Sequence, residues 1–252
     1  MRIDFEGRAV LVTGASRGIG AAIARRFAEA GARVGVHCSR NRAAAEALAA
    51  ELGGGAEALQ ADLADPDACT RLWDEAVERF GTVAVLVNNA GVAIGSDPDG
   101  ETDRWLADWN ATLAVNLTAP GLLCRAAVAH FRAIGGGRIV NISSRAAFRG
   151  DTPDYLAYAA SKGGLVALTK SIARFHGKDG VLAFGVAPGF TRTEMAEDFI
   201  AQYGEDYAMQ GAALPQMTRP DDVAPTVVFL ASGLADHATG TTVDINAASY
   251  VR

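Results

Sequence analysis

The sequence RAVLVTGASRGIG occupies residues 8–20 and joins a short apolar run to a loop that contains three glycines. The apolar run predicts a β-strand over Arg8–Thr13, and the alanine-rich residues after the loop predict a helix over Gly18–Ala30. Glycine adopts positive φ at no steric cost, so the chain can turn sharply between the two elements. A strand, a tight turn and a helix in this order are typical of the first unit of an α/β fold.

The same alternation continues to the end of the chain. The other predicted strands are Arg33–His37, Glu57–Gln60, Val83–Asn88, Gly137–Ser143, Leu182–Ala187 and one near Thr242–Asn246. The other predicted helices are Arg42–Leu52, Asp67–Phe80, Thr102–Ile134 (bent or interrupted), Pro153–Phe175 and Asp221–Leu230. Such alternation requires right-handed crossovers, which build a parallel sheet. We therefore predict a single domain over residues 1–252: a doubly wound (Rossmann) parallel sheet of about seven strands with helices on both faces.

Composition and charge narrow the class of protein. The net charge of −6 argues against a surface that binds nucleic acid or anionic membrane. We find neither an apolar run of transmembrane length nor the pattern of a signal peptide, and we expect a cytoplasmic protein. The three cysteines and four histidines lack metal-ligand spacing, so we expect no metal site. We interpret the histidines as structural or exposed: His37, His130, His176 and His237.

The glycine loop at residues 13–20 is a candidate phosphate site. Glycines let the backbone approach a pyrophosphate closely, and the N-terminus of the following helix attracts its negative charge. The spacing differs from the usual six-residue dinucleotide pattern. On this stretch alone, a plain strand-to-helix turn therefore stays an alternative.

The motif Thr13-Gly14-x-x-x-Gly18-x-Gly20 resembles the cofactor loop of the short-chain dehydrogenase/reductase family. Later motifs resemble the same family, in the same order, over nearly the whole chain. The resemblance implies an NAD(P)-dependent oxidoreductase that moves a hydride between a nicotinamide ring and a carbonyl or alcohol carbon. The loop residues it implies as cofactor ligands are Gly14, Ser16, Arg17, Gly18, Ile19 and Gly20.

Three later segments match further cofactor contacts of that family. Asp62, with Leu63 beside it, stands where the family places an acid that binds the adenine amino group. Asn88-Asn89-Ala90-Gly91 matches the segment at the adenosine ribose, so Asn89, Ala90 and Gly91 are implied ligands, although this sequence also suits a plain turn. The segment expected at the nicotinamide end and the phosphates contributes Pro188, Gly189, Thr191 and Thr193.

Tyr158 and Lys162 are four residues apart, so both lie on one face of a predicted helix. A free tyrosine has a pKa of about 10 and is a weak base at neutral pH. A nearby ammonium and a positively charged nicotinamide favour the phenolate, so we expect a lowered pKa at Tyr158. The same lysine can hold the nicotinamide ribose. Taken alone, such a pair also occurs by chance on exposed helices.

The strand Gly137–Ser143 strengthens this interpretation because it ends in two hydroxyl residues. By resemblance, Ser144 binds the substrate oxygen and its neighbour Ser143 ranks below it. Asn116 matches the helix asparagine that holds a water in the family's proton relay. The resemblance therefore implies a catalytic tetrad of Asn116, Ser144, Tyr158 and Lys162.

The end of the second predicted strand suggests which cofactor is preferred. NAD-specific relatives carry an acid there, which binds the ribose hydroxyls and repels a 2′-phosphate. Here the first acid is Glu46, well inside the next helix, while Ser39 and Arg40 can bind a phosphate. Arg17 matches the position of a second basic residue. We expect NADP(H) to be preferred over NAD(H); the alternative is that Arg40 and Arg42 are only solvated charges.

The overall prediction is an NADPH-dependent carbonyl reductase or alcohol dehydrogenase that acts on a small molecule. The family resemblance implies a homotetramer or a dimer. One alternative is a 3-oxoacyl-[acyl-carrier-protein] reductase, whose acidic partner would need a basic patch from Arg125, Arg132, Arg145 and Arg149. Another is a catalytically idle nucleotide-binding sensor.

Variable loops should determine the substrate. These loops are Ala93–Asp103, Arg145–Ala157 and Phe190–Met217. We expect the last of them to be a mobile lid over the substrate. Ala247 and Ala248 stand where relatives often carry glycine. The sequence therefore does not predict the backbone conformation of that turn.

Overall fold

The structure is a computed structural model that describes residues 3–252, without the side chains of Met195, Asp198, Phe199, Gln202 and Tyr207. Its strands are β1 (Ala9–Val12), β2 (Arg33–Cys38), β3 (Glu57–Gln60), β4 (Val85–Asn88), β5 (Gly137–Ile142), β6 (Val181–Pro188) and β7 (Thr242–Ile245). All pair in parallel, in the order β3-β2-β1-β4-β5-β6-β7. The chain reverses its direction of travel across the sheet between β1 and β4, which opens a crevice at their carboxyl ends.

Ten helices connect the strands within the described residues. They are α1 (Gly18–Glu29), α2 (Arg42–Leu52), α3 (Pro66–Phe80), α4 (Thr102–Leu113), α5 (Ala119–Ile134), α6 (Ala146–Arg149), α7 (Leu156–His176), α8 (Glu194–Tyr203), α9 (Glu205–Ala208) and α10 (Pro220–Ala231). Buried residues of α1, α2 and α10 pack on one face of the sheet, and those of α3, α5 and α7 pack on the other. This three-layer arrangement confirms the predicted doubly wound fold.

The structure adds short elements that the sequence pattern did not predict. The expected interruption within Thr102–Ile134 is a π-helical turn at Ala114–Thr118, between α4 and α5. A 3₁₀ turn at Pro153–Tyr155 precedes α7. The segments expected as loops contain α6, α8 and α9. These helices are too short, at four to ten residues, to show a clear apolar period.

The helical stretch Thr102–Ile134 is long and apolar enough to cross a membrane, although we had expected no run of that kind. Part of the stretch packs inside the protein: Leu123, Ala127 and Phe131 of α5 are buried against the sheet. A core helix passes the same test of length and composition, so the stretch is weak evidence for a membrane span.

The structure shows the backbone conformation of the turn after β7, which the sequence did not predict. Ala247 has φ of 51° and Ala248 has φ of 56°, so both occupy the left-handed region. An L-residue with a Cβ pays roughly 1–2 kcal/mol to adopt this conformation, whereas glycine does not. The turn is held by a hydrogen bond from the Ala213 amide to the Ala247 carbonyl, at 2.7 Å.

Replacing Ala248 by glycine should therefore stabilise the protein. We expect Ala248→Gly to raise the free energy of unfolding by about 1 kcal/mol, which is a rise in Tm of roughly 2–4 °C for a chain of this size. Ala50→Gly, on the exposed side of α2, is the matched control and should lower stability by a similar amount. Thermal unfolding of both variants checks this prediction. An equal loss of stability in the two variants would show that the backbone at Ala248 is not strained.

Candidate active site

The glycine loop after β1 closes tightly against the segment that follows β4. Gly14 has φ of +62°, and a Cβ there would lie 2.9 Å from the Cα of Ala90. A Cβ on Gly20 would collide with the carbonyl oxygen of Gly14. The Thr13 hydroxyl accepts hydrogen bonds from the amides of Asn89 and Ala90, both at 3.0 Å. Only glycine fits this loop at residues 14 and 20.

The loop ends at the N-terminus of α1, which faces the crevice. Arg17 is the N-cap residue, and within the described chain no side chain caps the helix or places an acid in its first turn. The amides of Gly18, Ile19 and Gly20 therefore precede the first intrahelical hydrogen bonds. Free amides and the helix dipole attract anions. The glycine cradle and this helix end together fit the pyrophosphate of a dinucleotide.

The other predicted cofactor residues surround the same crevice. Asp62 and Leu63 follow β3, and Asn89, Ala90 and Gly91 follow β4. Pro188 ends β6, and Thr193 is the N-cap residue of α8. A Cβ on Gly18 would lie 3.3 Å from the Thr193 side chain, so these two segments meet beside the loop. Ser16, Gly189 and Thr191 lie within the same segments.

The arginines proposed to bind a 2′-phosphate near the end of β2 differ in whether they form ion pairs. Ser39 and Arg40 are exposed directly after β2. Arg42 forms an ion pair with Glu46 at 2.7 Å, and Arg17 forms one with Glu194 at the start of α8. Among these arginines, Arg40 is the one whose guanidinium has no ion pair within the described residues. The family resemblance had implied Arg17 as a second basic residue beside the same phosphate.

Four side chains of the predicted tetrad come together at the carboxyl ends of β4 and β5. The Tyr158 and Ser144 side chains lie close enough together to interact. The Lys162 ammonium lies 5.7 Å from the centre of the Tyr158 ring and donates to the carbonyl of Ile142 at 2.9 Å. The structure also separates the two candidate serines: Ser143 points away and donates to the Lys162 carbonyl at 3.0 Å.

Asn116 lies in the π-helical turn and is fully buried. Its side chain exchanges two hydrogen bonds with the backbone of Val92, each at 2.8 Å, and donates to Ser161 at 3.1 Å. A Cβ on Gly91 would lie 3.3 Å from both the Asn116 oxygen and the Lys162 nitrogen. Asn116 therefore fixes the position of the segment after β4, next to Lys162. π-helical turns are often found at functional sites.

Electrostatics at Tyr158 differ from the prediction. Removal of the hydroxyl from water raises the pKa of Tyr158, the Ser144 hydroxyl lowers it, and the Asp151 carboxylate raises it. The expected lowering was therefore wrong for this structure. Burial also lowers the pKa of Lys162 to about 8, because a charged ammonium is costly away from water. The ammonium donates to the Ile142 carbonyl rather than to the phenol, so it does not offset the burial of Tyr158.

Several residues at the site were missed or undervalued by the sequence analysis. Asp151, between Ser144 and Tyr158, affects the pKa of Tyr158. Its own pKa is raised, chiefly by burial. Glu194 engages Arg17, and His37 contacts the glycine loop. Nothing in the sequence indicated the contacts of Asp151, Glu194 or His37.

Comparison with known proteins gives a consistent result. The family model of the short chain dehydrogenases matches residues 8–204. The chain is 34% identical to the 3-oxoacyl-[acyl-carrier-protein] reductase FabG of Aquifex aeolicus, over 99% of this chain and 100% of that protein. It is 36% identical to D-threitol dehydrogenase of Mycolicibacterium smegmatis, over 95% of this chain and 93% of that protein.

A solved structure agrees with these relatives. The short chain dehydrogenase of Burkholderia cenocepacia in complex with NADP has a TM-score of 0.88 and 38% identity, with 97% of this chain and 98% of that chain covered. The family match covers most of the chain, and the relatives cover nearly all of it. This chain therefore belongs to the short-chain dehydrogenase/reductase family, whose members are oxidoreductases that act on the hydroxyl or carbonyl groups of small molecules.

Proposed function

We propose that this protein is an NADPH-dependent carbonyl reductase, able to run in reverse as an alcohol dehydrogenase. The observation that carries the proposal is the placement of Ser144 beside Tyr158, with Lys162 one helical turn further on. Two hydroxyls at one point of a crevice can hold and protonate a single substrate oxygen. Turnover of carbonyl compounds with NADPH tests the proposal.

Each residue has a distinct part in the proposed mechanism. The nicotinamide, when bound, supplies or accepts the hydride at the substrate carbon. Ser144 donates a hydrogen bond to the substrate oxygen and orients it. Tyr158 gives its proton to that oxygen during reduction and removes it during oxidation. Lys162 holds the nicotinamide ribose and, while charged, favours the phenolate of Tyr158.

Asn116 is the fourth member of the proposed tetrad. Both polar atoms of its side chain already bind protein groups, at Val92 and Ser161. We infer that it positions the backbone near Lys162. A water of the proton relay would then bind the Asn116 backbone carbonyl or the remaining lone pair of its side-chain oxygen.

The raised pKa of Tyr158 predicts opposite pH profiles for the two directions. Reduction needs the protonated phenol, which persists across the neutral range, so kcat/KM for reduction should change little between pH 6 and 8. Oxidation needs the phenolate, whose fraction grows about tenfold per pH unit below the pKa, so kcat/KM for oxidation should rise with pH. Initial rates in both directions, with one substrate pair, check this. A flat profile for oxidation would contradict Tyr158 as the base.

The preference for NADPH is part of the proposal and rests on the end of β2. Arg40 is exposed there without an ion pair in the described part of the chain, and the first acid beyond it, Glu46, is engaged by Arg42. A guanidinium forms charge-assisted hydrogen bonds with a phosphate, typically contributing ~1.5–3 kcal/mol. We propose Arg40, Ser39 and Arg17 as ligands of the 2′-phosphate, with Arg17 leaving Glu194 to reach it.

Arg40→Ala should weaken NADPH binding by roughly tenfold or more, because it removes a charge-assisted hydrogen bond, and should leave NADH binding little changed. Arg42→Ala is the matched control, since its guanidinium is held by Glu46. Fluorescence titration with both cofactors measures the effect. A higher kcat/KM with NADH than with NADPH in the unmodified protein would show that the preference is wrong.

Reduction of 3-oxoacyl groups on an acyl carrier protein is a second candidate, favoured by the similarity to the Aquifex reductase. Two of the four arginines named for a basic patch are already engaged by other side chains of the protein. Arg145 is buried and donates to Ser249 at 2.5 Å, and Arg132 forms an ion pair with Asp179 at 3.2 Å. Two of the four thus serve internal contacts, so a small free carbonyl substrate is the better proposal. From the family resemblance we also propose a homotetramer or a dimer.

The segment Phe190–Met217 keeps its proposed part as the lid over the substrate. It contains α8 and α9, and the Tyr203 hydroxyl at the end of α8 donates to the Asp154 carboxylate at 3.2 Å. Asp154 lies in the 3₁₀ turn before the helix that carries Tyr158. Together with the Arg17–Glu194 ion pair, this contact joins the lid to both sides of the crevice.

A further inference from the structure

We propose that His37 is a positioning residue that holds the glycine loop in its cofactor-binding conformation. His37 lies near the carboxyl end of β2 and is 1% exposed. Its Nδ1 accepts a hydrogen bond from the Gly14 amide at 3.0 Å, and its Nε2 lies 3.1 Å from the Ala61 carbonyl. One imidazole therefore contacts the start of the phosphate loop and the residue that precedes Asp62.

The two contacts define the state of the ring. The Gly14 amide is a donor, so Nδ1 must be unprotonated, and the single ring proton stands on Nε2, where it donates to Ala61. Burial lowers the pKa of His37 to about 4, because the charged ring would lose its hydration. The imidazole is therefore neutral at physiological pH and suited to both contacts.

The backbone around His37 reinforces the connection. The Ala15 amide donates to the His37 carbonyl at 2.8 Å, and the Ala61 amide donates to the Cys38 carbonyl at 3.1 Å. The first two loop residues after Thr13 are thus both bound to His37, one through its side chain and one through its backbone. The loop amides further along, at the N-terminus of α1, stay available for a phosphate.

An apolar side chain at this position would leave the partly buried Gly14 amide without its partner. The loop cannot relieve this by moving inward, because Gly14 already lies against Ala90. It would have to shift outward to reach water, and cofactor binding would then have to reverse that shift. The lost hydrogen bond should therefore appear in cofactor affinity as well as in stability. This argument rests on the proposed cofactor site at the glycine loop.

Three substitutions separate the two contacts. His37→Asn can place an acceptor near Nδ1 for Gly14 but cannot reach Ala61. His37→Gln can reach towards Ala61 but offers no acceptor at the Nδ1 position, and His37→Phe keeps a ring without either contact. The matched control is His130→Phe. His130 also accepts from a backbone amide, that of Val83 at 3.2 Å, but Val83 precedes β4 and so lies at the amino ends of the strands, away from the glycine loop.

Dissociation constants for NADPH and NADH, kcat at saturating cofactor, and Tm test the proposal. His37→Phe and His37→Gln should weaken the binding of both cofactors by roughly tenfold, with kcat changed less than about twofold, because the partly buried Gly14 amide loses its partner. His37→Asn should restore affinity to within about threefold of the unmodified protein. His130→Phe should lower Tm and leave both dissociation constants unchanged.

The outcomes separate this inference from the proposed function. If His37→Phe does not fold, the cofactor affinities of His37→Asn and His37→Gln are compared instead, and their difference tests the proposal. Equal affinity of the Asn and Gln variants would overturn the proposal, as would an unchanged affinity in His37→Phe with only a lower Tm. Failure of the unmodified protein to bind either cofactor would instead remove the proposed function. A loss confined to NADPH would point to the 2′-phosphate site at Arg40 and would overturn the part given to His37.

Discussion

Tyr158→Phe is expected to lower kcat for carbonyl reduction by at least about 10², the usual scale for loss of a general acid. The variant keeps the ring that packs near Lys162 and loses only the hydroxyl beside Ser144. Cofactor affinity and Tm should therefore stay close to those of the unmodified protein. Steady-state kinetics, a cofactor titration and thermal unfolding of the same sample measure the three quantities.

A matched control for this substitution is Tyr250→Phe. Its hydroxyl donates at 3.5 Å to the Phe148 carbonyl, so its removal also deletes one phenolic hydrogen bond. We expect turnover of that variant to stay within about threefold, because a weak neutral hydrogen bond away from Tyr158 contributes little. Full turnover in Tyr158→Phe would remove the proposed mechanism.

Ser144→Ala should reduce kcat by about 10²–10³, by analogy with the loss of a hydrogen bond that stabilises a developing oxyanion. The effect should fall on kcat more than on cofactor affinity, since Ser144 is expected to contact the substrate oxygen and not the cofactor. Single-turnover measurements with saturating NADPH isolate the chemical step.

The neighbouring serine is the control for this second substitution. Ser143 is buried and donates to the Lys162 carbonyl within the protein. Ser143→Ala should therefore lower stability by about 1 kcal/mol and leave most of the turnover intact. A larger loss of kcat in Ser143→Ala than in Ser144→Ala would mean that the roles of the two serines are reversed.

Much of the fold followed from local patterns of sequence. The strand over Gly137–Ile142 was predicted to within one residue, because a short β-branched run after a glycine-rich turn is unlike the alanine-rich helices around it. The helix α8 was missed, although Thr193 followed by Glu194 and Glu197 is a pattern typical of a helix start. The strained conformation of Ala247 and Ala248 could not be predicted, because it depends on contacts with distant segments.

The candidate site also has features that local sequence predicts and others that depend on distant contacts. The Tyr158–Lys162 spacing and the glycines of residues 14–20 carry their chemistry in local sequence, so their placement was predictable. The direction of the pKa shift at Tyr158 was not, because it depends on burial and on Asp151 from another segment. The same holds for His37, whose two partners are 23 and 24 residues away in the chain. Long-range packing decides such contacts, and a single sequence does not display it.

The most direct test of the proposed function is turnover by the unmodified protein. A panel of ketones and 3-oxoacyl thioesters with NADPH or NADH, and of alcohols and sugars with the oxidised cofactors, is followed through the absorbance of reduced nicotinamide. We predict that NADPH is consumed only when a carbonyl substrate is present, that kcat/KM is higher with NADPH than with NADH, and that Tyr158→Phe lowers the rate at least about 10²-fold. Tight binding of NADPH without turnover of any carbonyl or alcohol would contradict this account and favour a nucleotide-binding sensor.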